Sequence, residues 1–218
     1  MEYESVLAAG LVISGIGLVF EFARRRGPYR VGPWPGLTAR GAGVLIGCAL
    51  LLGGIQMFFS GGGVPKRAWP DLSAVAIGSL VPLVLATRVV KAPGAASAVC
   101  GAYLLPRSLA SLMDAAIDPP PLVLVSAVAF DLVLWVRRSD LSIKRRVSRV
   151  PRQPTVWRGA LAGAAFALSF VLVEPAYSAL LGADVTAFQT ADVALAAAVA
   201  VVACAALGTA MFDQARPR

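Results

Sequence analysis

Long apolar stretches separated by short polar segments make up most of this chain. A helix needs about 20 apolar residues to cross the hydrocarbon core of a bilayer, and stretches of roughly that length recur seven times. Each is too continuously apolar for the alternating strands of a membrane barrel, so helices are the predicted spanning element. The predicted spans are about 5–22, 41–60, 72–90, 95–113, 121–136, 159–181 and 190–212.

The segments between the spans are short and rich in Gly, Pro and basic residues. None is long enough for a separate soluble domain, so we expect residues 1–218 to form a single integral membrane domain. The chain starts Met-Glu-Tyr-Glu, whereas a signal peptide starts with basic residues. The first stretch is therefore interpreted as a retained span.

Composition agrees with this pattern. Of the 218 residues, 58% are hydrophobic and 15% are charged, against about 25% charged residues in a typical soluble domain. A disordered chain is excluded as well, because it needs low hydrophobicity and high charge. The sequence predicts an all-α, polytopic transmembrane helix bundle with about seven spans.

The basic residues predict how the bundle is oriented. Lys and Arg number 20 against 12 Asp and Glu, a formal net charge of +8. Loops rich in Lys and Arg stay in the cytoplasm, and seven spans with the N-terminus outside place 17 of the 20 cations on cytoplasmic segments. We expect a cytoplasmic C-terminus and a multi-pass protein of the cytoplasmic (inner) membrane. A six-span topology ranks second, because it places the C-terminal arginines outside.

The basic loop 137–158 is the largest predicted cytoplasmic segment. Its residues Arg145, Arg146 and Arg149 are candidate contacts for anionic lipid headgroups or an acidic partner. The alternative is that they only anchor the topology. A nucleic-acid partner is not predicted, since positive-inside anchoring explains the net charge.

Missing residue types exclude much of the usual catalytic chemistry. The chain has no histidine, which removes His-ligated haem, His-containing zinc motifs and Ser–His–Asp catalysis. Cys48, Cys100 and Cys204 stand alone in apolar runs and are interpreted as packing residues. We therefore predict no catalytic residue, no metal site and no cofactor, and the chain is not expected to be an enzyme.

A few polar side chains interrupt the spans. Ionisable groups inside a membrane are costly, so they are functional candidates. Arg107, Asp114, Asp131 and Glu174 are the residues of this kind. One interpretation is a polar pocket that opens toward the outside. The other is structural, with an Arg107–Glu174 ion pair and Asp131 near the midplane, either protonated or facing a wet cavity.

Small residues four positions apart favour close helix packing. Such pairs are Gly10 and Ser14, Gly43 and Gly47, and Gly159 and Gly163. The second and sixth spans also open alike, with Thr-Ala-Arg-Gly-Ala and Thr-Val-Trp-Arg-Gly-Ala. This likeness leaves open either a parallel repeat of spans 1–3 and 5–7 or two unrelated cytoplasmic helix starts.

Two functions fit these features. The first is a non-catalytic membrane subunit or assembly partner of a larger complex, which explains the lack of motifs and the small-residue faces. The second is a small-solute transporter, or the substrate-binding component of one, with Arg107, Asp131 and Glu174 along its path. We favour the first, because the few charges that support the second also have a structural explanation.

Overall fold

The computed structural model describes residues 2–24, 38–61, 69–90, 93–114, 122–135, 156–180 and 190–212. Helices account for nearly all of them, which confirms the predicted all-helical architecture for this part of the chain. The helices are α1 (Glu2–Arg24), α2 (Ala39–Gly61), α3 (Trp69–Val90), α4 (Ala95–Asp114), α5 (Leu122–Trp135), α6 (Val156–Leu180) and α7 (Thr190–Phe212).

Four of these helices are long and apolar enough to cross a membrane. Their apolar segments are Val6–Arg24, Ala39–Phe59, Ser73–Val90 and Val156–Val173. The other three helices contribute the shorter apolar segments Ala95–Leu105, Val123–Trp135 and Ala194–Thr209. The described part of the chain is thus all-helical with four candidate membrane spans, while a bundle of seven spans and its orientation stay predictions.

Helix α3 lies at the centre of the bundle. It packs against α2, α4, α6 and α7, and the outer helices follow one another through α2–α4, α4–α5, α5–α6 and α6–α7 contacts. Leu80, Leu83 and Val84 of α3 have no exposed surface. Its mostly apolar residues can face neighbouring helices on several sides.

Arginine side chains join the ends of successive helices. Arg40, in the first turn of α2, donates from Nε to the Phe22 carbonyl at 2.8 Å and from Nη2 to the Ala23 carbonyl at 2.5 Å, both near the end of α1. In the same way, Arg158 in α6 donates from Nη1 to the Leu134 carbonyl of α5 at 3.2 Å. The last carbonyls of a helix have no intrahelical partner, so each arginine satisfies part of the preceding helix end.

These contacts make α1 antiparallel to α2 and α5 antiparallel to α6. We refer to the end of the bundle where Arg40 and Arg158 lie as the arginine end. The equivalent roles of these two arginines agree with the similar openings of the second and sixth spans. They do not establish a repeat, because the glycines of α2 and α6 face different neighbours: Gly43 and Gly47 approach α1, whereas Gly163 approaches α7.

Glycine brings two helix pairs to backbone contact. A β-carbon placed on Gly15 of α1 would lie 2.6 Å from the Gly47 carbonyl oxygen of α2. In α6 and α7, a β-carbon on Gly163 would overlap the Cys204 carbonyl, and one on Gly208 would overlap the Gly159 carbonyl. The predicted small-residue stripes of the second and sixth spans therefore lie at helix interfaces, against α1 and α7 respectively.

Polar side chains in the described part of the bundle form hydrogen bonds both within and between helices. The Thr87 hydroxyl donates to the Leu83 carbonyl at 2.8 Å within α3. Between helices, Gln56 Nε2 of α2 donates to Ser79 Oγ of α3 at 2.6 Å. The cysteines Cys48, Cys100 and Cys204 are buried and free, as expected of packing residues.

The turn that leads into α4 requires glycine. Gly94 has a φ of 81°, a left-handed conformation that costs other L-residues about 1–2 kcal/mol. Its carbonyl accepts a 2.9 Å hydrogen bond from the Ala98 amide and so begins α4. The turn follows the end of α3 at Val90, which allows α4 to start at the arginine end.

Replacing Gly94 with alanine is expected to lower the free energy of unfolding by about 1 kcal/mol. The cause is backbone strain alone, because a β-carbon at this position would meet no atom within 4 Å. Thermal unfolding in detergent measures the change. Gly94→Asn is the control, since Asn tolerates the left-handed region, and equal losses in both variants would contradict a conformational cause.

Candidate functional site at the start of helix α4

One carboxyl group is buried in the described part of the bundle. Asp131 lies on α5 with only 7% of its surface exposed. Its neighbours on the same helix, Ala127, Phe130 and Leu134, are fully or almost fully buried. Residues three or four apart share a helix face, so the packing of α5 directs Asp131 inward with them.

Ser97 of α4 binds this carboxyl group twice. Its backbone N–H donates to Asp131 Oδ2 at 2.8 Å and its hydroxyl donates to the same oxygen at 2.7 Å. The first backbone N–H groups of a helix have no intrahelical partner and carry partial positive charge. Asp131 therefore caps α4 from a different helix, and the helix terminus acts as the counter-charge that sequence inspection did not find.

The contact places Asp131 close to the arginine end of the bundle. Ser97 lies in the first turn of α4, beside the turn at Gly94. The neighbouring helix α4 therefore sets the environment of the carboxyl group, while its depth in the membrane stays a prediction.

Two buried polar atoms of α5 have no hydrogen-bond partner among the residues that the structure describes. They are Asp131 Oδ1 and Trp135 Nε1. The two residues are four apart on α5 and so lie on one helix face, with β-carbons about 5–6 Å apart. An unmade hydrogen bond at a buried group costs about 1–3 kcal/mol, so this pair needs a physical explanation.

For the other predicted site residues, the structure describes the helix that each belongs to but not the side chain. Arg107 and Asp114 belong to α4 and Glu174 to α6, but their side chains lie outside what the structure describes, and an Arg107–Glu174 pair stays a prediction. Arg107 follows Ser97 by ten positions on α4, about 15 Å along the axis. The structure therefore brings Asp131 to Ser97, at a different level from the Arg107 backbone.

The basic loop lies mostly outside the residues that the structure describes. Arg145, Arg146 and Arg149 lie outside the described residues, so their contact with lipid headgroups or a partner stays a prediction. Of the loop 137–158, only its last residues are described, at the start of α6. There Trp157 is exposed and Arg158 caps α5.

Two residues of the site were missed from the sequence. Ser97 carried a weak signal, since it stands just after Pro93-Gly94, where a helix start with free N–H groups is expected. Trp135 stands at the end of the predicted span 121–136, and nothing in the sequence indicates that its N–H is buried. Both gain their importance from Asp131, which is 34 positions from Ser97.

The arrangement can hold a small group that forms hydrogen bonds. It offers a carboxyl oxygen, an indole N–H and the first turn of α4, and the described residues include no group of three metal-ligating side chains. No protein-family model, curated protein or solved structure matches this chain. Its function therefore has to be inferred from the placement of these residues.

Proposed function

We propose that this chain is a non-catalytic integral membrane subunit, or assembly partner, of a larger protein complex in the cytoplasmic membrane. The observation that carries the proposal is the outward face of α1. This face is formed by Gly10, Ile13, Ser14, Gly17 and Phe20, which the 3.6-residue period places together. All of them are exposed.

The opposite face of α1 packs against the rest of the bundle. Ala8 and Val19 are buried, and Gly15 approaches the α2 backbone. Helix α1 packs on α2 and lies at the edge of the bundle. Its second face is therefore available to lipid or to another helix.

The chemistry of the outward face favours another helix over lipid. Small residues are enriched where membrane helices pack together, because they let two backbones approach. Beside Gly10 and Gly17 there is no atom within 4 Å of an added β-carbon, whereas Gly15, Gly47, Gly163 and Gly208 all contact a neighbouring backbone. The outer stripe of α1 has the composition of the inner ones and supports docking of a partner helix.

A structural role for Asp131 is in keeping with this proposal. As an α4 cap, the carboxyl group has a use in folding and requires no transported substrate. The orientation that we propose, with the arginine end in the cytoplasm, follows the positive-inside rule. Seven spans are part of the same proposal.

Site-specific photo-crosslinking in native membranes tests the docking face. A photoreactive residue at Ile13, whose side chain is 72% exposed, is expected to yield one discrete protein adduct. The matched control is Val202 of α7, which is 71% exposed and apolar but lies outside this face. Lipid adducts alone at both positions, together with a stable monomer in mild detergent, would contradict the proposal.

A small-solute transporter is the second candidate function. The observation that favours it is the buried Asp131 Oδ1, which has no partner among the described residues and lies on the same α5 face as the unpartnered indole N–H of Trp135. Under the proposed orientation this site lies toward the cytoplasm, so a path that opens outward would need Arg107 and Glu174 for its outer half. Uptake that survives Asp131→Asn and Glu174→Gln for every tested solute would exclude this candidate at the proposed residues.

A further inference from the structure

We propose that one hydroxyl oxygen, belonging to an internal water molecule or to a hydroxyl-bearing solute, bridges Asp131 and Trp135 between α4 and α5. The site is formed by Asp131 Oδ1, Trp135 Nε1 and the adjoining first turn of α4 at Ser97. It does not depend on whether α1 docks a partner helix.

The chemistry of the two unpartnered atoms selects the ligand. The indole N–H of Trp135 can only donate, so the ligand atom must accept. Both Ser97 donors go to Oδ2, and Oδ1 therefore still needs a donor if the carboxyl group is ionised, or an acceptor if it is protonated. A hydroxyl oxygen accepts and donates, and it meets either requirement.

Charged ligands fit less well. An anion would lie against the carboxyl group, and a metal cation cannot accept the indole hydrogen bond. A neutral oxygen has neither problem. Proteins hold about one buried water per 27 residues, each with about three hydrogen bonds to polar groups that would otherwise be unsatisfied.

The local geometry suits a ligand of this size. Asp131 and Trp135 are one helical turn apart, and a single oxygen can bridge side chains at that spacing. The Pro93–Gly94 turn lies beside the site: Pro93 is exposed, and a β-carbon on Gly94 would meet nothing within 4 Å.

Magnetisation transfer to the indole proton tests the proposal on the full-length, ¹⁵N-labelled protein in lipid nanodiscs. The chain has four tryptophans, and Trp135→Phe assigns the Trp135 indole signal by its loss. We expect transfer to this proton from the protons of a long-lived bound water molecule or hydroxyl group. Transfer at the water frequency identifies water, whereas transfer from a solute proton that disappears after exhaustive dialysis identifies a hydroxyl-bearing ligand. No transfer in the wild type would overturn the proposal.

Two variants test the part played by Asp131. Asp131→Leu is expected to abolish the transfer, because it removes the polar partner and fills the space. Ser169→Ala is the control and should keep the transfer, since Ser169 lies on α6 and its hydroxyl donates to the Ala165 carbonyl of the same helix. If Asp131→Leu does not fold, Asp131→Asn replaces it and should shift the Trp135 indole resonance. Transfer that survives Asp131→Leu, or an indole resonance unmoved by Asp131→Asn, would overturn the bridge.

Discussion

Replacing Gly163 with alanine is expected to lower the free energy of unfolding by about 2–3 kcal/mol, in the upper range for overpacking. The new β-carbon would overlap the Cys204 carbonyl. Since the colliding atom belongs to the backbone of α7, no side-chain rotation can relieve the overlap and the two helices must separate. Unfolding of the purified protein in one fixed detergent, followed by circular dichroism, measures the loss.

Gly101→Ala is the matched control for this effect. Gly101 is also helical, but a β-carbon there would meet nothing within 4 Å, so its replacement should be neutral or slightly stabilising through helix propensity. Gly208→Ala disturbs the same interface, and the double variant should lose less than the sum of the single losses. Equal behaviour of Gly163→Ala and Gly101→Ala would contradict the close α6–α7 contact.

Replacing Asp131 with alanine is expected to lower the free energy of unfolding by about 2–3 kcal/mol, from a lost helix cap and lost hydrogen bonds to a carboxyl group. The change removes the acceptor of both Ser97 hydrogen bonds at the start of α4. Asp131→Asn should lose less, because its amide oxygen can still accept from Ser97. Ser97→Ala removes only the hydroxyl bond and should cost about 1 kcal/mol.

The order of these three variants separates the two candidate functions. If Asp131 caps helix α4, Asp131→Ala is expected to be the least stable of the three variants. If Asp131→Ala were instead as stable as the wild type or more stable, the carboxyl group would not stabilise the fold and would serve another purpose. That result would contradict the structural role and favour the transporter.

The helices follow from the sequence because their signals are local. Apolar stretches of membrane-spanning length, interrupted by Gly, Pro and Arg, predict each of α1–α7 with bounds within three residues of those observed. Inside a bilayer a helix satisfies its own backbone hydrogen bonds, so such a stretch needs no information from its neighbours. The three shorter apolar segments show where this reasoning stops, because length and composition alone do not establish them as spans.

Small-residue motifs predict a close contact between helices but not which helix forms it. Gly10 and Gly43 both belong to small-xxx-small pairs, yet Gly43 faces the Phe22 ring of α1 whereas Gly10 faces open space. The motif reports only that a backbone can come close on that face. Which helix approaches depends on how all seven helices pack, which no single stretch encodes.

By itself, the sequence determined an all-helical, membrane-type chain without histidine chemistry. Hydropathy and the absence of a residue type are properties of the sequence alone and do not depend on how the helices pack. The tertiary structure decided the role of Asp131. Its carboxyl group meets the first turn of α4, and its second oxygen has no partner among the described residues. A buried polar group takes its properties from what surrounds it, and here the capping contact comes from Ser97, 34 positions away along the chain.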